Sequence, residues 1–390
     1  MPIPTRSRIG RNRPAWRIAC GLVVALGVMP LTVHAGFEKH LTLDARALEL
    51  VDLIGEVYLE STSGTAYEII VRVDGRDASE DRVTLEQKPG DPARVLVRFP
   101  VDKERNYVYP RLEGSSGSNF SLSGLLGGNQ SWLDWLVHGG DPQIKVRGHG
   151  SGLELWADVT IRVPAGRKTT VRLGFGQIRA EGITGDVTLD TQCGPVSAAQ
   201  ITGVFVADTG SGDVQASGIQ GRLIADTGSG NVQLGDCSGP EILADTGSGN
   251  VKVDRTKCQS LNIDTGSGNV GLAGVDVQDL AVDTGSGAVT AEGLGADALN
   301  VDTGSGAVEL VLVRMGPGVF VIDTGSGAIE LTLPAEAEAQ VHAETGSGPI
   351  TYDSADERFR ADDEIEFRIG DRGSARIDLD TGSGAIRIRQ

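Results

Sequence analysis

The residues best placed to do chemistry lie in a repeated pentapeptide. Asp-Thr-Gly-Ser-Gly begins at Asp208, Asp226, Asp245, Asp264, Asp283, Asp302, Asp323 and Asp380, and a variant copy begins at Glu344. Asp-Thr-Gly-Ser also surrounds the catalytic carboxylate of aspartic proteases, where two such loops from two lobes share one proton. That chemistry needs a single facing pair. Here the copies from Asp208 to Glu344 follow one another at a near-constant step of about 19 residues, so the carboxylates fall in a stack. Like charges stacked at a strand spacing of about 5 Å repel one another. Ca²⁺ held between rungs by Asp208, Asp226, Asp245, Asp264, Asp283, Asp302 and Asp323 is one form of relief. Hydrogen bonds from the backbone N–H groups of each corner, as in an Asx turn, are the other. The nine-residue repeat of calcium solenoids is absent, so the Asx corner is the preferred reading and no cofactor is expected.

Other catalytic arrangements are missing. His40, His138, His149 and His342 are scattered, and no Ser–His–Asp or metal-ligand spacing stands out. The expectation is a protein that is not an enzyme.

A near-constant period of this size indicates stacked supersecondary units. Counting from the motif Asp, positions −3 and −1 are apolar in every copy, as in Leu261 and Ile263 or Leu299 and Val301. Positions +6 and +8 are apolar in nearly all, as in Val251 and Val253, while +7 is polar or Gly, as in Gln215 and Lys252. Alternation of this kind marks strands with one buried face. Each repeat therefore reads as strand, Thr-Gly-Ser-Gly corner, strand and second corner. Gly210, Gly212, Gly228, Gly230, Gly247, Gly249, Gly266 and Gly268 are expected to supply positive φ at the first corner. Position +11 (Ile219, Cys237, Val275, Leu294, Val313) supplies an inward plug at the second. The predicted fold is all-β: a parallel β-solenoid of about 19-residue rungs, right-handed by chirality preference. Asn231, Asn250 and Asn269 fall at one outward position and predict an Asn ladder.

The ends and interruptions set the organisation. Residues 1–35 have five arginines, a short apolar stretch and Val33-His34-Ala35, the form of a secretory signal peptide. The expectation is export to the periplasm, the outer surface or the medium, with no transmembrane span after cleavage. The chain carries a net charge of −18. Loss of the leader leaves 30 basic against 53 acidic residues, a net charge of −23, which argues against nucleic acid as a partner. Residues 36–112 read as an irregular N-terminal β segment and cap. Residues 113–150 are a Gly/Ser-rich insertion whose Phe120, Trp132 and Trp135 form a candidate partner loop. Residues 151–390 are the solenoid repeats, with a polar insertion at 353–379 read as a cap over the final rung pair. Cys237 and Cys258, roughly one rung apart in sequence, could bridge adjacent coils, or Cys237 could fill its apolar position as a free thiol.

The run Leu261-Asn-Ile-Asp-Thr-Gly-Ser-Gly-Asn-Val-Gly-Leu272, with Asp158–Gly166 and Ile377–Ile388, resembles the bacterial "putative adhesin" family of β-strand repeats, catalogued as a domain of unknown function. The resemblance covers roughly residues 150–390 and implies an exported, non-enzymatic β-solenoid with no catalytic residues to assign. The expected function is that of an adhesin or structural surface protein of the bacterial envelope, meeting an envelope, glycan or protein surface. The alternative is a periplasmic or envelope interaction module, a stress sensor or scaffold, docking partners through the 113–150 loop.

Overall fold

The computed structural model describes residues 36–111, 117–126, 141–371 and 373–390. The Asp264 rung shows how the repeat folds. Strand Lys257–Thr265 enters the Thr-Gly-Ser-Gly corner and strand Val270–Ala273 leaves it. Leu261, Ile263, Thr265, Val270 and Leu272 turn inward and are buried, whereas Asn262 and Asp264 face out. Lys257–Thr265 pairs in parallel with Ser238–Thr246 on one side and Asp276–Thr284 on the other, Asp opposite Asp and Thr opposite Thr. The leaving strands stack in the same way, Val251 on Val270 on Val289. The strands entering the motif form a first face and those leaving it a second. Together they make a mostly parallel sheet nearly closed round an axis, the expected β-solenoid. Short strands survive because each is paired on both sides and covers a dry apolar core.

Both ends depart from chain order. At the N-terminal end, Ala47–Ile54 and Val57–Thr62 form a regular rung that stacks on Arg167–Phe175 and Ile178–Glu181. Beyond it lie Ala93–Arg98 on the first face and Trp156–Pro164 on the second. Antiparallel strands finish this end: Thr84–Lys88 on the first face, and Tyr67–Asp74 followed by Phe37–Leu43 on the second. The segment read as an irregular cap thus contains a complete rung.

At the other end, the Asp380 rung is not the last in space. Ala375–Thr381 lies between Val319–Thr324 and Ala339–Thr345. Ile386–Arg389 lies between Ile329–Thr332 and Ile350–Asp353. The polar 353–379 segment therefore covers the Glu344 rung and not the final rung pair in sequence. Its strands Arg358–Ala361 and Glu364–Ile369 pair antiparallel with that rung. Tyr352, Phe359 and Phe367 plug the end, with ring centroids 4.8 to 5.2 Å apart. Edge backbone left bare would recruit foreign strands, and both ends turn that backbone over with a reversed strand.

Part of the 113–150 insertion is ordered against the first rungs. A small sheet of Asn106–Val108, Ser118–Ser121, Gln143–Arg147 and Leu153–Glu154 carries the short helix Leu122–Leu125. Phe120, Leu122, Leu125 and Leu126 are buried. A Cβ on Gly174 would lie 2.5 Å from Phe120 Cζ, so the ring rests directly on the solenoid backbone. Phe120 is therefore a core residue and not an exposed docking residue. Trp132 and Trp135 lie outside the described residues.

Candidate functional site: corners, carboxylate column and outer trough

The motif Thr organises the corner. Thr265 Oγ1 donates to the Gly249 carbonyl of the adjacent rung at 3.0 Å and accepts the N–H of Gly268 at 3.0 Å. The same two bonds recur at Thr227, Thr246, Thr284, Thr303, Thr324, Thr345 and Thr381. In these eight rungs the buried hydroxyl spends its proton on the neighbouring rung and accepts one backbone N–H, whereas Thr191 Oγ1, in the same column, has no partner among the described residues. The motif Ser residues sit exposed at the corner tip.

The corner glycines are required for a different reason from the one expected. None of Gly210, Gly212, Gly228, Gly230, Gly247, Gly249, Gly266 and Gly268 has a left-handed φ. They are needed because corners stack backbone on backbone. A Cβ on Gly268 would fall 1.8 Å from the Gly249 oxygen, and one on Gly266 2.4 Å from the Gly247 oxygen. A left-handed column runs along the second corner, at Gly182, Gln200, Gly218, Asp236, Arg255, Gly274 and Gly293, with φ between 45° and 67°, while at the first corner positive φ is found at Gly55, Gly176 and Gly194 of the early rungs. Three of the second-corner residues are not glycine, so composition did not reveal the column. Near this corner the +11 plug also fails once. Val313 is 59% exposed and Leu312 is buried in its place, because the strand register shifts between Leu294 and its neighbours.

The motif carboxylates form one outward column. It starts at Arg172, continues through Asp190 and Asp208, and ends with Asp323, Asp380 and Glu344, the last opposite Glu364. Among the described residues no motif Asp accepts a hydrogen bond from its own corner, so the Asx turn is not formed. The N–H it would use is committed to the neighbouring rung, as in Gly266 to the Thr246 carbonyl at 3.3 Å. Among the described residues only Arg172 pairs with the column, 2.6 Å from Asp190. Burial pushes Asp190 up to about 6, against the pull of Arg172 and with a further push from Asp208. Burial first, and neighbouring carboxylates second, raise Asp226, Asp245, Asp264 and Asp323 above the ordinary range. Among the described residues no group of three or more His, Cys, Asp or Glu side chains is arranged to hold a metal ion. From Asp208 to Asp323 each rung contributes one carboxylate to the outward column.

Next to this column runs a neutral ladder. Asn250 N–H donates to Asn231 Oδ1 at 3.0 Å and Asn269 N–H to Asn250 Oδ1 at 2.9 Å. The series begins at Asp213 and ends on the N–H of Ala288. It is a structural staple, with each side chain tying two rungs.

Cys193, Cys237 and Cys258 are free thiols. No Cys237–Cys258 bridge is present. Cys237 Sγ is turned to the Gly235 carbonyl, 3.3 Å away. Burial, and then the neighbouring Cys237, pushes the Cys258 thiol up to about 12, where a reactive thiolate does not form.

A concavity opens on the second face. A trough of about 400 Å³ crosses successive rungs between Arg179 and Asp254 and is lined by Ser197, Gln215, Ser217 and Gln233. Gln215, Gln233 and Ser197 stand in one register column, Ser197 opposite Gln215 opposite Gln233. The amides of Gln215 and Gln233 are exposed and make no hydrogen bond among the described residues. A second cleft, of about 320 Å³, lies beside the small sheet and includes Arg111, Tyr109, Phe175 and the half-buried Cys193. Its cation is already engaged: Arg111 lies 2.8 Å from Asp158 and 3.2 Å from Glu56. The outward acid column and the inward motif Thr follow from alternation in the sequence. The left-handed column and the rearranged ends do not.

No curated protein matches the chain. Among solved structures it is similar to a protein described as a "putative cell adhesion protein" from Clostridium sporogenes, with 10% identity, 92% of this chain and 99% of that one covered, and a TM-score of 0.18. That likeness is too slight to support an argument. The family comparison is decisive, because residues 157–389, more than half of the chain, match the family described as Toastrack DUF4097. With its stacked rungs and Thr–Gly corners, the chain belongs to the Toastrack DUF4097 family.

Proposed function

We propose that this protein is an exported, non-enzymatic solenoid of the bacterial envelope that adheres through its second face to an extended, uncharged glycan. The observation that carries this reading is the trough across the second face. It offers Ser197, Gln215 and Gln233 at one-rung intervals, with Ser217 beside Gln215 on the same strand, and amides and hydroxyls of this kind can both donate to and accept from sugar hydroxyls. A chain of net charge −18 with a carboxylate column on its other face repels polyanions, which favours a neutral polymer. The basic, apolar leader at 1–35 supports export. The test of location is protease accessibility on intact cells, with a periplasmic control protein. Shaving from whole cells supports the adhesive reading; protection until the outer barrier is opened removes its footing.

A further inference from the structure

We propose that the rungs of Asp323 and Glu344 bound an exchangeable strand slot, and that segment Ala375–Arg389 of a second copy of this chain can replace the chain's own. The first support is chain length. The step from Asp302 to Asp323 climbs one rung, whereas the step from Asp323 to Glu344, equally long in sequence, climbs two. A connection that spans two rungs here spans one elsewhere, so the slot can close when it is empty and need not unfold its borders.

The bonding across the slot is also generic. Thr381 Oγ1 donates to the Gly327 carbonyl at 2.9 Å and Thr345 Oγ1 to the Gly384 carbonyl at 2.9 Å, the same contact that Thr324 makes to Gly306 at 3.0 Å. In the closed slot Thr345 meets Gly327, while Val341, Ala343 and Ile350 meet Phe320, Ile322 and Ile329. Apolar side chains still face apolar ones, and every Thr keeps a carbonyl.

The outer seal of the slot is weak. A depression of about 240 Å³ opens over Val321, Asp378 and His342. Arg376 pairs with Asp378 of its own strand, and His342 pairs with Glu364 of the cap, so neither ties the inserted strand to a neighbouring rung. On the second face Glu330 pairs with Arg387 and Arg389, and exposed ion pairs of this kind contribute little. A second copy is the fitting occupant because its segment carries the Thr, the two glycines and the inward Ile377, Leu379, Ile386 and Ile388 in the register the slot reads. Exchange of an identical element between copies is a low-cost route to association.

The experiment mixes two full-length variants, both with Cys193→Ser, one carrying Val321→Cys and the other Asp378→Cys. Val321 and Asp378 are register partners, within the reach of a disulfide. The mixture is held below the unfolding midpoint and then oxidised. A chain carrying both cysteines is the control for geometry and folding, and it should link within itself. The expected result is a disulfide-linked dimer of the two single variants, together with hydrogen exchange in 375–389 on the order of ten-fold faster than in the Asp283 and Asp302 rungs. A control that links completely while the mixture yields no linked dimer overturns the proposal.

Discussion

Thr303 Oγ1 donates to the carbonyl oxygen of Gly287, one rung away, at 3.0 Å. This contact recurs through the stack and ties each corner to the next without any ligand. Removing the hydroxyl from a mid-stack rung leaves a buried carbonyl and a buried N–H without their partner. Thr284→Val should cost about 1–3 kcal/mol of stability, and Thr284→Ser should cost less. Urea denaturation of both variants measures the difference.

The glycine requirement is steric and local. Gly268→Ala places a methyl group 1.8 Å from the Gly249 oxygen, and corners stacked backbone on backbone cannot relax one at a time. A loss of at least ~3 kcal/mol, the upper end of ordinary overpacking, is expected. Gly235→Ala is the control, since its nearest neighbour is an Arg255 side-chain nitrogen 3.9 Å away. Thermal unfolding should separate the two variants clearly.

The carboxylate column sets a pH dependence. Asp245, Asp264 and Asp323 have raised folded-state pKa values from burial and, second, from the carboxylates on adjacent rungs. A group raised on folding contributes stability that is complete below its unfolded pKa and is lost as pH rises through the folded value. For Asp190 that loss runs from its ordinary range up to about 6. Carboxylates such as Asp236 and Asp276, lowered first by hydrogen bonds from Arg255 and Arg314, act in the opposite direction, so variants give the cleaner reading. Asp264→Asn should gain roughly 0.2–1 kcal/mol at pH 7.5, the range for like charges opposed across strands. At pH 3 the gain should disappear.

Asp52 provides an independent test. It occupies the buried column that the motif Thr fills elsewhere, opposite Leu173. Oδ1 accepts the N–H of Leu53 at 2.8 Å, while Oδ2 has no partner. Burial raises its pKa well above the usual range. Asp52→Asn should therefore be more stable than the parent at pH 8 and nearly equal to it at pH 4, as measured by guanidinium titration at both pH values.

The period-two alternation around each pentapeptide made the solenoid legible, because inward Leu261 and Ile263 and outward Asp264 follow from strand geometry alone. The carboxylate column was legible for the same reason. The role of the glycines was misread because steric need between rungs and left-handed φ leave the same residue in a sequence. Gln200, Asp236 and Arg255 conceal the true left-handed column, since local propensity was overridden by the turn. The insertion of the Asp380 rung depends on pairing between distant segments, which no periodicity records. Phe120 looked exposed because it lies in a Gly/Ser-rich stretch, and its burial follows from the bare backbone of Gly174 beneath it.

The most direct test of the central claim is retention of purified residues 36–390 on immobilised neutral envelope polysaccharide, comparing the parent with Gln215→Glu/Gln233→Glu. The account predicts that the parent is retained and the double variant is released, with both equally folded by circular dichroism. Equal retention of the two proteins, or retention of neither, would contradict it.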